Sequence, residues 1–226
     1  MLRIVEHFPS IQGEGIFIGT PMYFVRLSGC NLRCSWCDTP YAWREGKKIK
    51  ETELFREIKP WENLPWLCIT GGEPLLQDFS DFLTIIHRET KMKVTVETNG
   101  TIQPPKYLQK YVDFWSVSPK LSNSGMHDAI DTTALKAFLE LNSQFKFVCE
   151  TLIDVHEALD LLSHFNEVKV PIVFQPQGKH FPNTETYFKF LRYLWQYLTR
   201  LQGRYPFEFR VLPQLHVLLY GQRRCI

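Results

Sequence analysis

Three cysteines, Cys30, Cys34 and Cys37, form a C-x3-C-x2-C array in the loop from Gly29 to Tyr41. Three thiols cannot all pair as disulfides, and thiolate ligands select zinc, Cu(I) or an iron–sulfur cluster. A structural zinc site normally takes four ligands, usually from a second C-x2-C or a His pair. The chain offers no second pair of that kind. A four-iron cubane ordinarily takes four cysteines, so three leave one iron open to an outside ligand. An open iron suits chemistry on a bound molecule better than storage of an electron. The other cysteines, Cys68, Cys149 and Cys225, are scattered singly and read as small apolar residues or a free thiol.

Other residues that could do chemistry lie at intervals along the chain. Gly13 and Gly15, in Ser10-Ile11-Gln12-Gly13-Glu14-Gly15, sit in a polar turn. Glycine there permits positive φ or close approach to a ligand; the alternative is a plain turn entering the next strand. Arg26 stands on an apolar strand just before Cys30. Such an arginine either points to solvent or makes a bidentate contact with a substrate carboxylate. Gly71-Gly72-Glu73-Pro74 follows the apolar run Leu67 to Thr70. By spacing alone it is a tight strand-to-helix turn, though its backbone could also face a ligand. His7, His216 and Glu97 are the available general bases, and a buried structural role is the simpler reading of each.

The elements that must position these residues alternate. Strand-like stretches cover 22–27, 67–70, 93–100, 114–120, 145–150, 170–178 and 207–211. Helical patterns cover 52–59, 79–89, 134–141, 155–165 and 186–201. The stretch 5–15 reads as a turn and 45–50 as a charged surface crossing. Alternation of this kind predicts an α/β protein with a mostly parallel sheet, and parallel sheets bind ligands at the carboxyl ends of their strands. Thr70, Glu73, Glu97, Asn99, Ser118, Lys120, Glu150 and Gln175 are therefore expected at one mouth. At 226 residues the chain is short for a closed barrel of eight βα units, which takes about 250. An incomplete, modified (β/α) barrel fits, with residues 1–226 as one domain and the loop 29–41 at its mouth.

Composition excludes other classes. A net charge of +2 gives no electrostatic footprint for nucleic acid. No apolar run of about 18 residues is present, so no membrane span is expected. The opening residues have neither a long apolar segment nor a small-residue cleavage site, which places the chain in the cytoplasm.

The Gln-Gly-Glu-Gly turn, the cysteine loop with Trp36 before its last cysteine, and Thr70-Gly71-Gly72-Glu73-Pro74 occur in that order. With Ser118-Pro119-Lys120, Gln175-Pro176 and Leu212-Pro213-Gln214-Leu215-His216, they resemble the 7-carboxy-7-deazaguanine synthase family nearly end to end. These are small radical S-adenosylmethionine (SAM) enzymes of queuosine and 7-deazapurine biosynthesis. The resemblance implies conversion of 6-carboxy-5,6,7,8-tetrahydropterin to 7-carboxy-7-deazaguanine with loss of ammonia. A 5′-deoxyadenosyl radical cleaved from SAM would take a hydrogen from C6 of the pterin. It implies a [4Fe–4S] cluster on Cys30, Cys34 and Cys37, and Mg2+ on Thr39. SAM would meet Trp36, Cys37, Asp38, Gly72, Ser118, Pro119 and Lys120, with Gln175, Pro176, Gln177 and Gly178 as a weaker match. The pterin would meet Ile11, Gln12, Gly13, Arg26 and Thr70, joined by the terminal carboxylate of Ile226. A homodimer and an electron donor such as flavodoxin or ferredoxin complete what the resemblance implies.

Two other readings share the cysteine loop. A glycyl-radical activase would need an open surface for a polypeptide, whereas the Gln-Gly-Glu-Gly turn and Arg26 suit a small acidic substrate. A metal-binding or electron-transfer module would need a fourth ligand near the loop.

Overall fold

The computed structural model describes residues 1–181 and 183–221. One nine-stranded sheet organises them. Its strands are β1 (Leu2–Ile11), β2 (Pro21–Leu27), β3 (Lys47–Ile49), β4 (Trp66–Gly71), β5 (Lys93–Thr98), β6 (Phe114–Val117), β7 (Ser143–Cys149), β8 (Ile172–Pro176) and β9 (Phe209–Val211). They lie in the order β3-β1-β2-β4-β5-β6-β7-β8-β9, so the sheet is open, with β3 and β9 at its edges. From β2 through β9, omitting β3, every pairing is parallel. Those parallel strands are the seven that the sequence predicts, and the sheet is the mostly parallel, unclosed one expected.

The parallel strands form where apolar side chains fill both faces. Leu67, Cys68 and Ile69 of β4 are fully buried, as are Val94 and Val96 of β5. Burial on both faces is what helix-covered parallel strands require. The covering helices include α1 (Glu51–Ile58), α2 (Ser80–Glu89), α4 (Thr132–Leu139), α5 (Leu152–Ser163) and α6 (Thr184–Leu201); α3 (Lys106–Gln109) is a single turn between β5 and β6. Phe82, Leu83 and Ile86 of α2 all face the core, one stripe of an amphipathic helix. Side chains close the starts of three helices. Asp131 caps α4, Asn183 caps α6, and Thr151 with Asp154 forms a capping box on α5.

Besides the single turn α3, three elements differ from expectation. The stretch read as an opening turn is mostly the ten-residue strand β1, antiparallel to β2. The charged crossing contains β3, which pairs with Leu2 to Ile4 of β1. Lysines on so short an edge strand deter pairing with another chain. After β9 the chain forms a further short helix, α7 (Leu215–Tyr220). Leu215 N donates to Gly13 O at 2.8 Å, which brings this last segment against the turn that follows β1. No helix of the described residues is long and apolar enough to cross a membrane.

Candidate active site

The cysteine loop leaves the end of β2 and is fastened to the carboxyl ends of the next three strands. After β4, Glu73 N donates to Gly29 O at 2.8 Å, and Gly72 packs so closely that a Cβ would lie 2.1 Å from Gly29 O. After β5, Asn99 Nδ2 donates to Asn31 Oδ1 at 3.0 Å, and Asn31 Nδ2 donates to Thr101 Oγ1 at 2.7 Å. After β6, Ser35 N donates to Ser124 O at 2.9 Å and Trp36 Nε1 to Asn123 Oδ1 at 3.2 Å. From the far side, Lys179 Nζ donates to Cys37 O at 2.7 Å. A loop whose regular structure is confined to the start of a short 3-10 turn, Pro40–Trp43, is thus held by side chains and backbone from four others.

Cys30, Cys34 and Cys37 line one cavity at this mouth. Cys68 and Cys149 are buried in the core, and burial pushes both thiols well up; Cys225 lies outside the described residues. Burial also pushes the Cys30 and Cys34 thiols up, and neighbouring thiols add to it, while Lys120 pulls both back. Lys120 Nζ donates to Ser118 Oγ at 3.0 Å and lies 5.3 Å from the centroid of the Trp36 ring. Among the described residues no three His, Cys, Asp or Glu side chains are gathered closely enough to hold a single ion. A cubane takes its thiolates from separate corners, so three thiols lining one cavity together with a cation fit such a cluster.

A second cavity of about 360 Å³ adjoins the first and shares Glu14, Arg26, Asp38, Thr39, Thr70 and Glu97 with it. Its size falls within the range of small-molecule pockets. Ile11, Gln12 and Gly13 line it, together with Arg26, Thr39 and Thr70. Gln12 Nε2 donates to Glu97 Oε1 at 2.9 Å and Thr70 Oγ1 donates to Glu97 Oε2 at 2.8 Å, so Glu97 joins the turn to β4 and β5. Thr39 Oγ1 donates to Asp38 Oδ1 at 3.2 Å. Burial opposes the charge on Arg26, but Asp38, Tyr41 and Glu6 outweigh it and keep the guanidinium cationic.

Trp36, Cys37, Asp38, Gly72, Ser118, Lys120, Gln177 and Gly178 all line the first cavity. Pro119, Gln175 and Pro176 are buried and do not. Ile226 lies outside the described residues. Of the eight strand-end groups expected at one mouth, Thr70, Glu97, Asn99, Ser118 and Lys120 line it. Glu73 is fully buried and accepts from Leu75 N, Thr98 Oγ1 and Asn99 N, which fixes the Gly-Gly turn onto β5. Glu150 is turned aside towards His180 at 3.5 Å. Gln175 Nε2 donates to Glu14 Oε1 at 2.8 Å. His7 lies away from the mouth, bonded to Tyr23 Oη at 2.8 Å and to Glu57 at 2.9 Å, whereas His216 lines both cavities.

Sequence reasoning assigned no role to the buried polar group around Glu14. Lys146 Nζ and Gln214 Nε2 both donate to its carboxylate, in addition to Gln175. A lysine between Phe145 and Phe147 in a buried strand was the available signal, since such a charge needs a partner.

Residues 24–141 match the radical SAM superfamily, and the chain belongs to it. Members of that superfamily work with a [4Fe–4S] cluster and SAM. The chain is 32% identical to the 7-carboxy-7-deazaguanine synthase of Pyrobaculum aerophilum, over 99% of its own length and 96% of that protein. It is 34% identical to the 7-carboxy-7-deazaguanine synthase of Thermoplasma acidophilum, over 97% and 98%. It is therefore a member of the 7-carboxy-7-deazaguanine synthase family. The crystal structure of QueE from Escherichia coli shares the fold, with a TM-score of 0.69 at 23% identity over 93% of each chain.

Proposed function

We propose that this chain converts 6-carboxy-5,6,7,8-tetrahydropterin to 7-carboxy-7-deazaguanine with release of ammonia, as a radical SAM lyase of queuosine and 7-deazapurine biosynthesis. The observation that carries the reading is the wall common to the two cavities. The three thiols open onto one side, and Ile11, Gln12 and Gly13 onto the other.

In this reading Cys30, Cys34 and Cys37 hold a [4Fe–4S] cluster, which with SAM supplies one-electron chemistry at the substrate. Trp36, Asp38, Gly72, Ser118, Lys120, Gln177 and Gly178 hold SAM. Arg26 takes the substrate carboxylate, because a guanidinium kept cationic in a partly buried site suits a planar anion. Gln12, Gly13 and Thr70 orient the ring, and Glu97 fixes Gln12 and Thr70 relative to one another. Thr39 supplies one oxygen to Mg2+, a hard ion that keeps waters and substrate oxygens in its shell. The tight packing of His216 on Gly13 helps keep water out. A one-domain, homodimeric, cytoplasmic enzyme drawing electrons from a flavodoxin or ferredoxin belongs to the same reading.

The test is anaerobic incubation of the reconstituted protein with SAM, a strong reductant, Mg2+ and 6-carboxytetrahydropterin. Product of the mass of 7-carboxy-7-deazaguanine is expected, and Cys34→Ala should abolish it. SAM cleavage without that product would leave the superfamily chemistry and remove the substrate.

A further inference from the structure

Gln214 follows β9 and is 8% exposed. Both ends of its side-chain amide are committed. Its Oε1 accepts from Gly178 N at 2.6 Å, and its Nε2 donates to Glu14 Oε1. Its own backbone N donates to Tyr187 Oη at 2.7 Å, which ties it to α6. Only one orientation of the amide satisfies both partners, because one is a donor and the other a carboxylate.

The two partners sit differently at the mouth, since Gly178 lines the first cavity alone while Glu14 lines both. Gly178 precedes Lys179, whose Nζ donates to Cys37 O. Glu14 follows the turn that lines the second cavity, and its backbone N donates to Gln12 Oε1 at 3.0 Å. The sheet does not pair these regions, since β8 lies between β7 and β9 while β1 lies between β3 and β2. Lys146 and Gln175 anchor Glu14 to β7 and β8, yet among the described residues it is Gln214 that carries the link from Glu14 to the backbone at Gly178.

We propose that Gln214 is a positioning residue that makes SAM binding and pterin binding cooperative. The proposal rests on the substrate reading above. A ligand that fixes the backbone at 177–179 also fixes Gly178 N against Gln214, which holds the Glu14 turn in place for the other ligand. Part of the ordering cost is then met once rather than twice. Cooperativity of this kind is reciprocal, so each ligand tightens the other by the same factor.

The experiment measures SAM affinity by equilibrium dialysis on protein with an oxidised cluster and no reductant, so that no turnover occurs. It is run with and without 6-carboxytetrahydropterin. In the parent protein the pterin should tighten SAM on the order of 10-fold. In Gln214→Leu that factor should fall towards one, while SAM affinity measured alone changes by less than about 3-fold. Gln214→Glu alone should also lose the factor, because two carboxylates then meet. Combined with Glu14→Gln, which restores a donor opposite an acceptor, it should regain it. That paired exchange decides the matter if Gln214→Leu does not fold. An unchanged factor in the folded single variants, or no recovery in the exchange, overturns the proposal, as does independent binding of both ligands to the parent. If the pterin does not bind the parent at all, the substrate reading fails and this proposal fails with it.

Discussion

Arg26 faces Glu6 across the β1–β2 pair, and its Nε donates to Glu6 Oε1 at 2.7 Å. Tyr41 Oη donates to the same oxygen at 2.9 Å. The side chains of Arg26 and Glu6 are 16% and 7% exposed, so the pair is held in a largely dry setting. A planar guanidinium can satisfy Glu6 through Nε and still offer its outer nitrogens to a second carboxylate. A lysine ammonium has no such fork. Arg26→Lys is expected to raise the KM for the pterin by roughly 10–100-fold, the loss of one hydrogen bond to a charged group. SAM cleavage uncoupled from product should persist, measured as 5′-deoxyadenosine. An unchanged KM would reduce Arg26 to a structural partner of Glu6.

Gly72 is constrained by backbone rather than by conformation. Its missing Cβ would sit 2.1 Å from Gly29 O, the residue before Cys30, and a carbonyl cannot rotate away like a side chain. Gly72→Ala must therefore move the cysteine loop or the end of β4. Reconstituted Gly72→Ala is expected to hold less than about half the iron and sulfide of the parent, with unchanged far-ultraviolet circular dichroism. Iron content equal to the parent's would show that the loop can move without losing its grip. A substitution that merely creates crowding of this kind usually costs about 1–3 kcal/mol.

The parallel strands were legible because burial on both faces leaves uninterrupted apolar runs such as Leu67-Cys68-Ile69. β1 was not. From Val5 to Ile11 it is only half-buried, its residues mix polar and apolar types, and it contains Pro9. β3 pairs only with Leu2 to Ile4, so Pro9 is placed where no outer ladder needs its missing N–H. The cysteine loop was legible because its spacing is local. The Glu14 group was not, because its bonds to Lys146 and Gln214 join residues 132 and 200 positions apart. Period and propensity do not register such pairs. Gln175 illustrates the converse, since its position in a polar strand end matched the mouth while its amide nitrogen is spent on Glu14.

Thr39 and Asp38 present neighbouring oxygens, with Thr39 Oγ1 3.2 Å from Asp38 Oδ1, and both residues line the two cavities. Mg2+ prefers oxygen ligands and near-octahedral geometry, and a methyl group in place of the hydroxyl would remove a ligand without changing volume much. Thr39→Val is expected to lose most of the stimulation by Mg2+, whereas Thr39→Ser keeps it. Rates are compared across a Mg2+ titration after chelation. Full stimulation in Thr39→Val would place the ion elsewhere.

Glu14 should contribute to the loss of stability in acid. Burial pushes its carboxyl up, but Lys146, His216 and Gln214 outweigh burial and hold it down at about 2, against an ordinary 4.5. Because the folded value is the lower one, the stabilisation is fully present above 4.5, where both states are ionised. As pH falls from 4.5 towards 2 the unfolded chain takes up its proton first, and the contribution is lost. Such a shift corresponds to a stabilisation on the order of 3 kcal/mol at neutral pH. Glu73 acts in the opposite sense. Burial pushes its carboxyl up more than its three hydrogen bonds hold it down, so acidification relieves a cost there rather than adding one. The difference between the parent and Glu14→Gln isolates Glu14 from that background. Urea unfolding of Glu14→Gln should show lower stability at pH 7. Its stability should also fall less steeply between pH 4.5 and 2, by up to about 1.4 kcal/mol per pH unit. Parallel pH profiles for the two proteins would mean that Glu14 is not held ionised by its neighbours.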